Sequence, residues 1–274
     1  MDIRIFSKFT QNYETMKNRI LFILLVAAMA ISCAQRQTEV EIIPIQDNVA
    51  PRLMSRGLFA NAPDSLFEAL GLQDGIPSSV CAFLAKCDGK NVLFDAANGA
   101  PDSQLMHVLA SNDVAPEDVD YIFITHLHGD HIGGLMKDDT AVFTDAELYI
   151  NKVEYDAWMA MEQNAALVAL TQAYGDRLKT FVPGDALPCG VEAIEAYGHT
   201  PGHTVYKVGA ALIVGDIMHG VALQLENPQY CARFDMDPEQ SIVTRKNILD
   251  MAVDNGLKLF GMHFPEPYYL QLSW

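Results

Sequence analysis

Residues 125–131, with the sequence THLHGDH, contain three imidazoles and a carboxylate, although the whole chain of 274 residues has only eight histidines. Imidazole and carboxylate groups bind divalent metals and transfer protons. A single catalytic zinc uses three protein ligands and keeps one position open for water. His126, His128, Asp130 and His131 exceed that need, so the segment predicts a site for two metal ions.

The apolar run before the histidines predicts how their side chains point. Residues 121–125, YIFIT, indicate a β-strand that ends where the histidines begin. If the backbone stays extended, His126 and His128 point the same way and can share one metal. Gly129 allows the chain to turn, so the next two residues can face a second metal beside the first.

Three further candidate ligands follow other apolar runs. His203 comes after the Thr-Pro-Gly turn of GHTPGH, Asp216 ends ALIVGD, and His263 directly follows LKLFGM. Ligand sites of α/β proteins lie at the ends of strands, so we expect these residues at the same edge of a sheet.

The rest of the pattern alternates strands with helices and predicts one layered α/β domain over residues 34–274. The last predicted helix is the best marked, because Asp237 can cap it, Pro238 fits its first position and Gly256 ends it. Strands are predicted at 40–45, 79–87, 91–96, 121–125, 147–150, 204–208, 211–215 and 257–262. Helices are predicted at 103–110, 152–161, 164–174 and 238–255.

Residues 1–33 are predicted to be an N-terminal signal segment rather than part of the domain. From Met16, a start that fits this signal better than Met1, the basic run MKNR precedes the apolar run ILFILLVAAMAI. The following AISC resembles a bacterial lipoprotein processing site with Cys33 as the lipid-bearing residue. The expected location is therefore periplasmic or outer-membrane. Ordinary cleavage near residues 28–34 is the alternative.

Charge and cysteine usage limit the partners and the redox setting. A formal net charge of −17, without a Lys/Arg cluster, argues against a nucleic-acid partner and favours a small molecule. Besides Cys33 the chain has four cysteines, an even number that an oxidising compartment would allow to pair. Cys81 and Cys87 cannot easily pair with each other, because they are about 20 Å apart on one predicted strand.

The order and spacing of HLHGDH, GHTPGH, Asp216 and His263 resemble the ligand set of the metallo-β-lactamase fold superfamily over about residues 40–265. The resemblance implies a four-layered αββα sandwich and two Zn²⁺ ions that hold a bridging hydroxide. It implies that Asp216 bridges the ions. One zinc would be bound by His126, His128 and His203, and the other by Asp130, His131 and His263.

The same resemblance suggests two supporting residues. Asp95, in LFDAANG, resembles an aspartate of the family that braces the metal loop without binding metal. His199 matches the first histidine of GHTPGH and is interpreted as a residue that supports the site or its turn rather than as a ligand.

Segments such as VFTDAELYINKVEYDAW and GMHFPEP are similar to the methyl parathion hydrolase and lactonase-like branch of the superfamily. This similarity implies hydrolysis of a small lactone, aryl ester or related ester. His219, three residues after Asp216, is expected to hydrogen-bond a leaving or carbonyl oxygen. Asp130 is expected to carry a proton to the leaving group, and Trp158 resembles an aromatic wall of the pocket.

Two other functions fit the same ligands. The first is hydrolysis of a β-lactam, or of a thioester as in glyoxalase II; the bridging Asp216 argues against the β-lactam substrate. The second is a zinc-binding protein without turnover, against which the complete ligand set argues.

Overall fold

The computed structural model describes residues 40–161 and 164–273. The predicted signal segment 1–33, including Met16 and Cys33, lies outside the described residues. Two mixed sheets form the centre of the described part, and two short hairpins stand beside them. Within residues 40–161 and 164–273, no helix has both the length and the apolarity needed to cross a bilayer.

The first sheet has six strands, in the spatial order β1 (Glu41–Gln46), β4 (Cys81–Cys87), β5 (Lys90–Phe94), β6 (Val119–Ile124), β9 (Glu147–Asn151) and β10 (Leu178–Phe181). The second has five, in the order β11 (Glu192–Glu195), β12 (Thr204–Val208), β13 (Ala211–Gly215), β14 (Lys258–Gly261) and β15 (Tyr269–Gln271). The hairpins pair β2 (Arg52–Met54) with β3 (Ile76–Ser78), and β7 (Met136–Lys137) with β8 (Thr140–Ala141).

The two sheets pack face to face around an apolar core. Strand side chains alternate between the two faces of a sheet. In β4, Phe83 therefore points into the core between the sheets and Leu84 points to the opposite face. Phe123 and Tyr206 meet across the sheets with ring centroids 5.4 Å apart. Because both faces of β4 are covered, its sequence is a nearly continuous apolar run.

Helices cover the outer face of each sheet. Leu109, Leu167 and Leu170 pack on the first sheet, while Ile248 and Leu249 pack on the second. The layers are helix, sheet, sheet and helix, which confirms the predicted αββα sandwich. The helices are Asp64–Ala69, Leu105–Ser111, Gly129–Ile132, Lys152–Met159, Ala165–Tyr174, Val221–Gln224 and Pro238–Asp254.

All eight predicted strands and all four predicted helices are present, with ends shifted by at most two residues. Asp237 caps the last helix as predicted, since its side chain accepts a hydrogen bond from the Gln240 N–H at 3.0 Å. The candidate ligands lie in segments that follow β6, β11, β13 and β14, and these strands bring them to one edge of the sandwich.

Candidate metal centre

The segment after β6 is held by the aspartate that follows β5. Asp95 lies in the left-handed region, at φ 55°. It accepts hydrogen bonds from the backbone N–H and the hydroxyl of Thr125, both at 2.7 Å. Its Oδ2 also lies 2.6 Å from Nδ1 of His131. Asp95 therefore holds the histidine-rich segment through Thr125 and His131.

Three imidazoles converge on one point at the edge of the sandwich. Nε2 of His126 lies 2.9 Å from Nδ1 of His128 and 3.2 Å from Nε2 of His199. Nδ1 of His128 and Nε2 of His199 are 3.0 Å apart. Nitrogens bound to one tetrahedral zinc at 2.0–2.1 Å would be about 3.3 Å apart. These spacings are close to that value, so the three residues fit one metal ion.

A second group of candidate ligands lies beside the first. Asp130, His131 and His263 can each offer an atom to one ion. Nε2 of His131 is 3.8 Å from Oδ1 of Asp130, and Nε2 of His263 is 3.5 Å from Oδ2 of the same carboxylate. Oxygen and imidazole ligands suit zinc and several other divalent metals.

The carboxylate of Asp216 lies between the two groups. Its Oδ2 is 3.4 Å from Nε2 of His199, on one side, and 3.2 Å from Nε2 of His263, on the other. Its Oδ1 is 3.3 Å from Nε2 of His131. Neither that Oδ1 nor the His131 Nε2 has a hydrogen-bond partner, although both are buried. Buried polar atoms without a partner are costly, and metal ions at these two positions would supply the partners.

The positions of His199 and His203 are the reverse of what the sequence analysis predicted. His199 lies with His126 and His128, whereas His203 lies behind them. Nδ1 of His203 donates to the Ala196 carbonyl at 3.1 Å, and its Nε2 accepts the Asp216 N–H at 3.0 Å. Both ring nitrogens are therefore occupied, so His203 holds Asp216 in place and has no nitrogen free for a metal ion.

Further hydrogen bonds orient the candidate ligands. Nδ1 of His199 is 2.8 Å from Oδ1 of Asp235, and Nδ1 of His263 donates to the Ser79 carbonyl at 2.9 Å. With Nδ1 protonated, each ring presents the Nε2 lone pair to the cluster, which is the usual arrangement around protein-bound metals. Asp235 is 3.5 Å from the buried guanidinium of Arg245.

The electrostatics of the cluster favour cation binding. Burial, together with the neighbouring imidazoles, holds the pKa of His126 well below its ordinary value and lowers the pKa of His128 to about 4. Burial alone would raise the pKa of Asp216, but the surrounding histidines, His263 first among them, bring that pKa well below its usual range. At neutral pH the lone pairs of His126 and His128 are therefore free and Asp216 is ionised. Burial alone would lower the pKa of His131 and His263, but the Asp216 carboxylate raises both above their ordinary values.

Glu154 is a supporting residue that the sequence analysis missed. The helix Lys152–Met159 brings this buried carboxylate between the two loops that carry the first group of ligands. Oε1 accepts the Leu127 N–H at 2.9 Å, and Oε2 accepts the Thr200 hydroxyl and the Gly202 N–H at 2.8 Å each. One side chain thus fixes the spacing of the two loops. No local motif marks Glu154, since its partners come from distant segments.

A cavity of about 470 Å³ opens onto the cluster, a size that suits a small ligand. Its lining consists of the candidate ligands His128, Asp130, Asp216 and His263, with Arg52, Leu53, Met54, Ser55, Leu58, Gly129, His219 and Phe234. Leu53 and Met54 of β2, together with Leu58, form an apolar part of the wall. His219 faces the cavity, is buried, and has no hydrogen-bond partner on either ring nitrogen.

Trp158 does not belong to the described lining of the cavity, contrary to the prediction. It packs against the core of the first sheet and meets the His128 ring edge to face, with centroids 5.5 Å apart. From the helix Lys152–Met159 the indole contacts the His128 ring on the side away from the cavity. The aromatic side chain of the wall is Phe234.

Comparison with known proteins identifies similar sequences. Relatives include metallo-beta-lactamase domain-containing protein 1 of Xenopus laevis, 28% identical over 58% of this chain, and an N-acyl homoserine lactonase of a Bacillus species, 27% identical over 53% of it. The chain spans 66% and 56% of the lengths of these two proteins.

Solved structures share the fold over most of the chain. The hydrolase AbOPH of the beta-lactamase superfamily has 26% identity and a TM-score of 0.77, covering 86% of this chain and 91% of its own. The dizinc quorum-quenching lactonase AidC has 23% identity and a TM-score of 0.75 over the same shares. The sequence profile of the metallo-beta-lactamase superfamily matches residues 76–263. Since the match covers well over half of the sequence, the chain belongs to the metallo-beta-lactamase superfamily.

Proposed function

We propose that the protein is a hydrolase that holds two divalent metal ions, zinc in the first instance, and opens a lactone or cleaves an aryl or related ester. The observation that carries the proposal is the position of Asp216, whose carboxylate lies between two groups of inward-facing ligands. His126, His128 and His199 would hold one ion, and Asp130, His131 and His263 the other, with Asp216 shared.

Two bound metal ions would lower the pKa of water toward neutrality and polarise the oxygen that gains charge when an ester is attacked. The protein's own side chains would carry out the proton transfer. The Asp130 carboxylate lies at the cavity, 3.5 Å from Nε2 of His263. There it can take a proton from the attacking water and pass it to the leaving oxygen.

The position of His219 supports a role in recognising the reacting group. Its ring stacks on His263, with centroids 5.2 Å apart and planes 19° apart, and faces the cavity. Its unpaired ring nitrogens can donate one hydrogen bond to a carbonyl or leaving oxygen. Nε2 lies 3.2 Å from Oδ2 of Asp216, so such a contact would be made directly beside the metals.

The cavity wall supports an ester or lactone with an apolar portion. Leu53, Leu58 and Phe234 offer apolar surface opposite the polar cluster. A relative 27% identical is an N-acyl homoserine lactonase, which supports the lactone as the first substrate class to test. An amphipathic molecule can place its ring at Asp216 and its chain along this wall.

The test is hydrolysis of γ- and δ-lactones, aryl esters, a thioester and a chromogenic cephalosporin by purified protein, before metal stripping, after it, and after zinc reloading. Proton release from lactones or aryl esters that is lost on stripping and regained with zinc supports the proposal. Asp216→Ala should abolish turnover, while Asp250→Ala, a change on the exposed side of the last helix, should not. If only the cephalosporin or only the thioester is hydrolysed, the substrate class is a β-lactam or a thioester instead of a lactone or aryl ester.

We also propose that the chain is exported and lipidated at Cys33, on the strength of the sequence of residues 16–33. In a bacterial host, the wild-type chain should fractionate with membranes and incorporate a labelled fatty acid. Cys33→Ala should lose the label. A wild-type chain that stays unlabelled and unprocessed in the cytoplasm would contradict the proposal.

A further inference from the structure

Cys87 and Cys189 meet at the end of the molecule opposite the metal cluster. Cys87 ends β4 and pairs in register with Lys90, whereas the opposite end of the neighbouring β5 leads to Asp95 at the site. Sγ of Cys87 is 3.4 Å from the carbonyl oxygen of Cys189, and Sγ of Cys189 is 3.9 Å from the carbonyl oxygen of Cys87. Each thiol therefore lies beside the backbone of the other residue, although 102 positions separate them.

The other two cysteines of the described part have different neighbours. Sγ of Cys81 is 3.1 Å from the Ser79 hydroxyl, inside the core. Sγ of Cys231 donates to the Pro238 carbonyl at 3.4 Å. The mutual contact between Cys87 and Cys189 therefore distinguishes this pair from the other two cysteines of the described residues.

We propose that Cys87 and Cys189 form a disulfide when the protein meets a disulfide oxidant, such as oxidised glutathione or the active-site disulfide of a thiol oxidase. One thiolate attacks the oxidant and releases one of its sulfurs as a thiol. The second thiolate then displaces the other sulfur. The chain loses two protons and two electrons, and the oxidant is reduced to two thiols.

The location gives this bond a structural role. Cys87 belongs to the first sheet, and Cys189 lies in the turn Pro188–Gly190 that leads into β11, an edge strand of the second sheet. The bond would join the two sheets at the end where the hairpin between β4 and β5 turns. Closing a loop of this length removes many conformations from the unfolded chain, so the oxidised protein should be the more stable form.

The experiment uses the full chain with Cys33→Ser, which leaves four thiols, treated with oxidised or reduced glutathione at about pH 8.5. Alkaline conditions are chosen because burial raises the pKa of Cys189 to about 11, and the thiolate is the reactive form. We expect the oxidised sample to lose two titratable thiols and to yield a peptide that links Cys87 to Cys189. Its thermal midpoint should rise by about 5–15 °C.

Single substitutions test whether the disulfide forms between Cys87 and Cys189 rather than with another cysteine. Cys87→Ser and Cys189→Ser should each abolish the linked peptide and the rise in midpoint, while Cys231→Ser should keep both. Four free thiols after oxidation, a glutathione adduct on both residues, or a linkage to Cys81 or Cys231 would each overturn the proposal. The first measurement is made on the chain with both cysteines present, so it does not depend on the folding of the serine variants.

Discussion

His199 and His203 differ in what their ring nitrogens contact, and this difference can be measured. His199→Ala removes a nitrogen from the first group of ligands, so the bound zinc should fall from about two ions per chain to about one. His203→Gln should keep about two, because its amide oxygen can still accept the Asp216 N–H that Nε2 accepts at 3.0 Å. Elemental analysis of dialysed protein measures the metal content. Loss of metal in His203→Gln, with full metal content in His199→Ala, would show that His203 is the ligand and His199 the supporting residue.

Glu154 should control metal affinity without touching metal. Glu154→Gln places an amide N–H₂ where Oε2 or Oε1 now accepts, so at least one loop loses its hydrogen bond. Changes to residues that support ligands typically weaken metal binding by roughly 10–100-fold. Zinc affinity is measured by competition with a chromogenic chelator. Glu192→Gln, at a surface ion pair with Lys207, is the matched control and should bind zinc like the wild type. Equal affinities in both variants would contradict the role given to Glu154.

The sequence predicted the types of ligand well but not every assignment. His126, His128, Asp130 and His131 could be identified because they are contiguous and follow a strand. The choice between His199 and His203 depends on the turn that separates them and on Gly215, at φ +51°. A Cβ at Gly215 would lie 2.5 Å from Nε2 of His203. This close packing keeps His203 against Gly215 and away from the other candidate ligands. It arises only when β13 and the turn between His199 and His203 meet in the fold.

At the scale of the element, the N-terminus of the helix Pro238–Asp254 depends on its cap. Asp237→Ala removes the carboxylate that accepts the Gln240 N–H, and the free energy of unfolding should fall by about 1 kcal/mol. Asp237→Asn retains an acceptor and should lose only a fraction of this amount. Urea unfolding followed by circular dichroism measures both variants. The same loss in Asn and Ala variants would mean that the side-chain hydrogen bond is not the cause.

Long elements were predictable because their apolar patterns repeat over many residues. The missed strands have two to four residues each, too few for a pattern to show; they are β2, β3, β7, β8, β10, β11 and β15. The last helix illustrates a second limit. In this helix the guanidinium of Arg245 is buried and donates to the carbonyls of Ile217 and Pro228 at 2.5 Å each. Those partners lie in loops whose position no local pattern gives.

At the scale of the whole molecule, the proposed metals should hold the two halves of the sandwich together. The candidate ligands follow β6 of the first sheet and β11, β13 and β14 of the second, so ions bound there would link both sheets. A ligand present at about 1,000 times its dissociation constant stabilises the folded state by about 4 kcal/mol. For a domain of this size, that corresponds to a rise of roughly 8–16 °C in the thermal midpoint.

Removal of metal with a chelator should therefore lower the midpoint of the wild type by this amount, and zinc should restore it. Asp216→Ala, which loses the shared carboxylate, should respond less to both treatments. Asp250→Ala, on the exposed side of the helix Pro238–Asp254, should respond like the wild type. Scanning calorimetry, with metal content measured on each sample, provides the comparison. If the wild type unfolds at the same temperature with and without bound zinc, the ions do not link the sheets, and Asp216 must be stabilised by the surrounding histidines alone.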